Sequence, residues 1–476
     1  MKHKENCNMN TSTKGHGGNM SNIIIYLSPL LSQLVIATFT ICSIYILIVS
    51  SKKRIKTPVS LSTSSTLKFT TKNDAHGILF GKINSTIAFS PVNNEGHIAV
   101  FGGSGSGKTS ALLIPTLRSW TGTSLVIDIS GDISSNCNIS KKIIFEPDNP
   151  HTIPYNIFAE IDQTTDITEK NEKLEHLAYM LMPDSEKMDD NARFFLTEGR
   201  KILTAALIAF YSQGLDFIPI CEFIMGHSFQ NLFNAIDSSH CDAAIQYINS
   251  FQGANEKNTA GCKQSADNAI KLFATNAKIK KCIHRPIKHE PCFSASSVET
   301  SNVFVIVDDV QLELYAPLLH VITAQCLNYF NSRPPEHTHS ILLALDEFAS
   351  FGKLDITSAL RKLRKRHVRI MILTQSMADI DLIYGRAERM AMMNNFQFKV
   401  ILGASDTDTQ EYFAKLIGNK IIQNHSISRN AKTITRTYTD TKEYAIEPAE
   451  LAHLKNELLL LYPDGYIRLS KNFYFL

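Results

Sequence analysis

The run His97-Ile98-Ala99-Val100-Phe101, followed at once by Gly102-Gly103-Ser104-Gly105-Ser106-Gly107-Lys108-Thr109-Ser110, restricts this chain more than any other stretch. The first five residues read as a buried strand, and Lys108–Trp120, interrupted by Pro115, reads as a helix. Glycines between a strand and a helix let successive backbone N–H groups turn toward one point at the helix N-terminus, where phosphate binds. The G-x-x-x-x-G-K-T spacing is that of a P-loop. Lys108 is placed to reach the β- and γ-phosphates of ATP, and the Thr109 hydroxyl to hold Mg²⁺. The plainer reading is a Gly/Ser-rich loop ahead of a helix.

A phosphate cradle that hydrolyses its ligand needs an acidic partner on a neighbouring strand. Ile341–Leu345 is an apolar run that ends in Asp346-Glu347. Asp346 is suited to bind Mg²⁺ through water, and Glu347 to polarise the attacking water as a general base. Asp308 and Asp309 end the run Val303–Val307 and offer a second acidic strand end. The Asp346-Glu347 pair is preferred because it supplies both a metal ligand and a base. Gln375 ends Val368–Thr374, where a polar residue of a RecA-like ATPase senses the γ-phosphate; a surface glutamine is the alternative. Before that run crowd Arg361, Lys362, Arg364, Lys365, Arg366 and Arg369. They read as an arginine finger for a neighbouring subunit, as contacts to DNA phosphates, or as a solvated helix face.

Around these motifs the chain divides by pattern. Residues 1–22 are polar and read as a disordered tail, and Ile23–Val49 carries no charged residue. As a helix that segment would reach roughly 40 Å, enough for one transmembrane span. Lys52, Lys53, Arg54 and Lys56 follow, which by the positive-inside rule puts the bulk of the chain in the cytoplasm. Residues 50–75 read as a linker. Strand-like runs over 76–164 and 296–476 flank a stretch, 165–295, in which amphipathic helical patterns replace strands. The expected fold class is α/β: a RecA-like P-loop core with an all-α insertion, preceded by a transmembrane helix. The nine cysteines are scattered without metal or redox spacing, and the formal net charge is only +3. Any nucleic-acid contact must therefore be local rather than spread over a cationic surface.

Several stretches together resemble one family, the coupling proteins of type IV secretion and conjugation of the TraG/TraD kind. They are Leu113-Ile114-Pro115-Thr116-Leu117 running to Trp120, Leu125-Val126-Ile127-Asp128, Asp346-Glu347-Phe348-Ala349-Ser350-Phe351-Gly352-Lys353-Leu354, Ala359-Leu360, Thr374-Gln375-Ser376, Tyr384-Gly385 and Tyr462-Pro463-Asp464-Gly465 with an aromatic end. The similarity covers roughly 77–476. It implies a homo-hexameric motor anchored in the bacterial inner membrane that passes a relaxase–DNA complex or protein effectors to the secretion channel. By position, Lys108 and Thr109 would bind nucleotide and metal, Asp346 and Glu347 serve hydrolysis, Gln375 sense phosphate and Arg364 act in trans. The chain departs from the family in two places. One candidate span stands where two are usual, and Ile129-Ser130-Gly131-Asp132 stands where Pro-Lys-Gly-Glu is usual.

The residues leave two competing readings open: a septal-type DNA-pumping translocase, and a nucleotide-binding scaffold that recruits effectors without hydrolysis. The basic cluster gives a direct test of DNA contact. Replacing Arg361, Lys362 and Arg366 should flatten the fall of DNA affinity with log salt by about 0.7–0.9 for each phosphate no longer neutralised. An unchanged slope would place the DNA elsewhere.

Overall fold

A strand whose residues are all apolar must be covered on both faces, and the sheet is built around such strands. The structure, a computed structural model, describes residues 66–476 apart from Ser130, residues 185–187, His289, Pro335, residues 431–432 and Leu476. In chain order the strands are β1 (Lys68–Thr70), β2 (Gly77–Ile83), β3 (Thr86–Pro91), β4 (His97–Phe101), β5 (Thr123–Ile129), β6 (Lys142–Phe145) and β7 (Asn302–Val307). There follow β8 (Ile341–Leu345), β9 (Val368–Thr374), β10 (Phe396–Ile401), β11 (Asn419–Asn430), β12 (Thr433–Tyr444), β13 (Glu457–Tyr462) and β14 (Gly465–Ser470). Twelve of them form one sheet in the order β1-β3-β2-β14-β13-β10-β4-β9-β8-β5-β7-β6. The half from β10 to β6 is parallel. The half from β1 to β13 is antiparallel and joins β10 through β13.

Successive residues of the central strands face opposite sides, as the two-residue period requires. Ala99, Phe101, Leu125, Ile127, Leu343 and Leu345 enter one hydrophobic cluster. Ile98, Val100, Val126, Leu342 and Ala344 enter the other, which holds Leu112, Ile114, Leu117 and Trp120 of the helix after the glycine loop. The helices between β6 and β7 pack against the first cluster. They include Ile167–Leu181, Asp190–Ser212 and Glu256–Thr275, begun by the side-chain caps of Asp166, Asp189 and Asn255. Tyr155 forms isolated bridges with Ile283 and Phe293, which ties the exit of the helical stretch to its return.

Two polar side chains stitch the N-terminal ends of β4 and β9. Ile370 N–H donates to Nδ1 of buried His97 at 3.0 Å, so Nε2 carries the proton and faces Leu360 O at 3.0 Å. Burial, then the nearby Arg369 charge, pushes the His97 pKa down to about 3 and keeps the ring neutral. Arg369 corrects the reading of the basic cluster. Its side chain is buried and donates to Gly96 O, Pro91 O and Ser90 Oγ, so it cannot reach DNA or another subunit. As the second residue of a strand it falls on an inward position, whereas Arg361, Lys362, Arg364 and Lys365 precede the strand and are exposed.

The sheet begins earlier than the sequence suggests, since Lys68–Thr70 pairs with β3 inside the stretch expected as a linker. The separate β11–β12 ribbon is not among the strand-like runs read from the sequence; its polar, Thr- and Asn-rich residues lack the apolar alternation of a half-buried strand. The expected transmembrane segment and N-terminal tail lie outside the described residues. Among the described residues, no helix is long and apolar enough to cross a membrane.

Arg333 closes the lower edge of this arrangement. Its fully buried guanidinium takes both carboxylate oxygens of Glu299, at 2.6 and 2.9 Å, and donates to His339 O and Arg366 O. It thereby fixes the end of helix Leu312–Ser332 to the approaches of β8 and β9. Replacing Arg333 with Ala strands a buried carboxylate and should cost about 3–5 kcal/mol, read as a lower Tm and denaturation midpoint. A Lys there should not restore the loss, because it cannot present the planar fork.

Candidate nucleotide site

The site forms where β4, β9, β8 and β5 end. Phe101 pairs with Thr374, and Leu345 pairs with Ile372 and Ile127. These strand ends therefore share one sheet edge: the glycine loop follows β4, Gln375 follows β9, Asp346-Glu347 follow β8, and Asp128 is the last residue but one of β5. Asp308 ends β7, one strand further out, and is used locally, accepting from Val310 N–H at 2.9 Å. That placement favours Asp346-Glu347 over Asp308-Asp309 as the acidic partner of the loop.

The loop itself needs its glycines in specific ways. Gly105 and Gly107 stand at φ +70° and +96°, in the left-handed region. At Gly102 the constraint is space, because an added Cβ would lie 2.3 Å from Ser106 Oγ. Gly102 N–H donates to Thr374 O at 3.1 Å, tying the loop to the end of β9. The following helix winds in wide turns over Lys108–Leu113, with Ile114 N–H reaching Thr109 O, and becomes α-helical over Ile114–Ser119. Pro115 sits at that changeover, where its missing N–H breaks no established ladder.

The predicted residues converge. Gly103, Ser104, Gly105, Ser106, Gly107, Lys108, Thr109 and Ser110 line a cleft of about 350 Å³ together with Asp346 and Glu347. Lys108 Nζ donates to Gly102 O at 2.7 Å and lies 3.7 Å from Glu347 Oε1. Gln375 Nε2 lies 3.5 Å from the other Glu347 oxygen. Arg364 is not part of this group. It precedes β9 at the opposite sheet edge, near enough to His97 for its charge to act on that ring. A strand length of roughly 16 Å separates that edge from the cleft of the same chain.

Two carboxyls of the site are electrostatically unusual. Burial, and then the neighbouring Glu347 charge, push the Asp346 pKa up to about 7, with Lys108 working against them. Burial likewise raises Asp128 to about 6, although its oxygens accept from Ile133 and Ser134 N–H at 3.2 and 2.6 Å. A buried acid with no fixed cation of its own, level with another, is a natural seat for a divalent metal. Ser106 Oγ is buried without a hydrogen-bond partner. These observations fit an anion in the loop and Mg²⁺ beside Asp346 and Thr109.

Glu347 has φ +47° and ψ +49°, a left-handed conformation that costs a non-glycine residue about 1–2 kcal/mol. The turn after it is clamped. The Phe348 ring stacks on that of buried Tyr384 with centroids 5.4 Å apart, and Leu354 N–H donates to the Tyr384 hydroxyl at 3.2 Å. Sequence reasoning missed Tyr474, Asp132 and Asn136, which complete the cleft lining. No motif spacing links these residues to the loop, and only the packing of the segment after β14 against the loop brings Tyr474 there.

A mixed sheet whose parallel half carries this loop and acidic pair at one edge defines a RecA-like, P-loop α/β fold. The family described as type IV secretory system conjugative DNA transfer matches residues 48–476, and the chain belongs to it. Among similar proteins, VirD4 of Rhizobium rhizogenes is 23% identical over 376 residues, covering 75% of this chain and 54% of that protein. A probable conjugal transfer protein TraG of Sinorhizobium fredii is 23% identical, covering 78% and 60%. The chain thus spans about half the length of the curated relatives it matches. The solved bacterial conjugative coupling protein TrwBdeltaN70, in unbound form, has the same fold: TM-score 0.67, 20% identity, over 82% of this chain and 88% of that one. TrwB in complex with ADP and Mg²⁺ gives a TM-score of 0.63 at 20% identity, over 80% and 86%.

The Asp346 environment generates a pH prediction. Its pKa is about 7 when folded against an ordinary 3.8, so between these values the folded chain holds the extra proton. Stability from this group is then full below pH ~4 and is lost as pH rises through 7. Without nucleotide or divalent cation, Asp346→Asn should therefore raise Tm at pH 8 by several degrees and change little at pH 4–5. A variant equally destabilised at both pH values would show that Asp346 is not the strained acid described.

Proposed function

We propose that this chain is the ATPase of a membrane-anchored coupling protein, which recruits a relaxase–DNA complex or protein effectors and drives them into a type IV secretion channel. The observation that carries this reading is the meeting of Lys108, Asp346, Glu347 and Gln375 at one cleft, in a chain of the conjugative DNA transfer family. ATP is the substrate. The loop amides from Gly102 to Ser110 cradle its phosphates, and Lys108 neutralises charge that builds on the β- and γ-oxygens. Mg²⁺, held by Thr109 and Asp346, would supply further neutralisation of that charge. Glu347 accepts the proton of the attacking water, and Gln375, beside the Glu347 carboxylate, reports the loss of the γ-phosphate to β9.

The rest of the reading follows the family. Residues 76–164 and 296–476 form the motor domain, and 165–295 an all-α domain that meets cargo. Residues 23–49 anchor the chain once in the inner membrane with the motor in the cytoplasm. A homo-hexamer would place Arg364 of one copy against the nucleotide of the next, which suits its position far from the cleft of its own chain. The solved TrwB complexes, with an ATP analogue and with ADP and Mg²⁺, support ATP and Mg²⁺ as ligands by analogy.

Kinetics of the full chain test the assignment. Glu347→Gln should retain ATP binding and lower kcat by roughly 10²–10⁴-fold, whereas Lys108→Ala should lose binding as well. A wild-type chain that hydrolyses no ATP, with or without DNA, would leave only the scaffold reading. Transfer unaffected by Glu347→Gln would sink the motor claim.

A further inference from the structure

The segment after β14 turns back onto the glycine loop. Lys471 is buried and donates to Leu402 O at 3.1 Å and to Lys455 O at 2.5 Å, which pins the start of the segment. The Phe473 ring lies where an added Cβ at Gly107 would be 3.3 Å from it, so the ring is in van der Waals reach of the loop. Tyr474 N–H donates to Ser110 O at 2.9 Å. Tyr474 lines the cleft with Ile114, Asp132 and Asn136. Arg118 lies over the Tyr474 ring. Its guanidinium carbon lies 5.0 Å from the Tyr474 ring centroid, Nη1 donates to Tyr474 O at 3.0 Å, and Nε and Nη2 donate to Asn136 O at 3.1 and 2.8 Å.

The polarity of the loop says what this rim meets. Lys108 points toward Glu347, which marks the end of the cleft where the β- and γ-phosphates sit. A nucleoside must leave the loop at the other end, past Thr109 and Ser110. Beyond the loop, the same cleft is lined by Ile114, Asp132, Asn136 and Tyr474, and Tyr474 is the one aromatic residue among them.

Building on the nucleotide-site reading above, we propose that Tyr474 is a nucleotide-binding residue: its ring stacks on the base of the bound nucleoside triphosphate, so that the segment after β14 sets affinity for the nucleoside end. Stacking on a π-face does not discriminate strongly among bases, so the contribution should be similar for ATP and GTP. The Arg118 contacts to Tyr474 O and Asn136 O fix the width of that slot.

Tripolyphosphate, which has no base, separates this role from propping the loop. With Mg²⁺ present, the full chain carrying Tyr474→Ala should bind ATP about tenfold more weakly than wild type, the loss expected for one base–aromatic stack. Its affinity for tripolyphosphate should be unchanged, which also reports an intact loop, and Tyr474→Phe should bind ATP within about twofold of wild type, since the phenyl ring keeps the stacking face. Equal ATP affinity in wild type and Tyr474→Ala would overturn the inference and leave the nucleotide-site reading standing. A parallel loss of ATP and tripolyphosphate would also overturn it, by showing that the segment only supports the loop. Failure of wild type to bind either ligand would overturn both readings.

Discussion

The cleft depends on one thing above all, the parallel ladder β4–β9–β8–β5. Its hydrogen bonds fix which residues come out level at the C-terminal edge, and that edge is where the loop, Gln375, the acidic pair and Asp128 meet. A one-residue slip would exchange the two faces of a strand and send its inward residues to the wrong cluster. The alternation of Ile98, Val100 and Leu342 with Ala99, Phe101 and Leu343 makes such a slip costly, because both faces are covered. His97 and Arg369 add a second constraint at the opposite edge. Their bonds to backbone atoms of other strands and of the preceding turn hold β4 and β9 in phase by polar contacts that tolerate little displacement.

Much of this was legible in the residues. Uninterrupted apolar runs such as Ile341–Leu345 and His97–Phe101 match their strands end to end, because a strand buried on both faces leaves no other period to read. The glycine loop and Asp346-Glu347 were legible because their chemistry is local and tightly spaced. What stayed hidden is non-local. Arg369 reads as one more exposed cation in a basic run until strand geometry turns it inward. Tyr474 lies more than 350 residues from the loop it touches. The β11–β12 ribbon pairs strands that are rich in Thr and polar residues and carry no apolar run to draw the eye. Arg364, expected to act in trans, lies at the opposite end of the strands from the cleft of its own chain.

Sequence and structure together also explain why the departure after Asp128 is tolerated by the fold. Gly131 takes φ +77° at the start of the short helix Asp132–Asn136, and the Asp128 carboxylate caps that helix through two backbone amides. The turn is held by the Asp128 carboxylate and by Gly131. Asp132 and Asn136 then reach the rim of the cleft on the same helix.

The left-handed backbone at Glu347 has a consequence for how such a chain can change. Glycine would relieve the conformation, and with it remove the carboxylate; Asn or Asp would ease it at the cost of a shorter reach, and other side chains keep the strain. The fold therefore keeps a standing cost at the position that carries the proposed base. If Glu347 is the base proposed above, selection for stability and selection for turnover pull in opposite directions at that one residue, next to the stacked Phe348–Tyr384 pair.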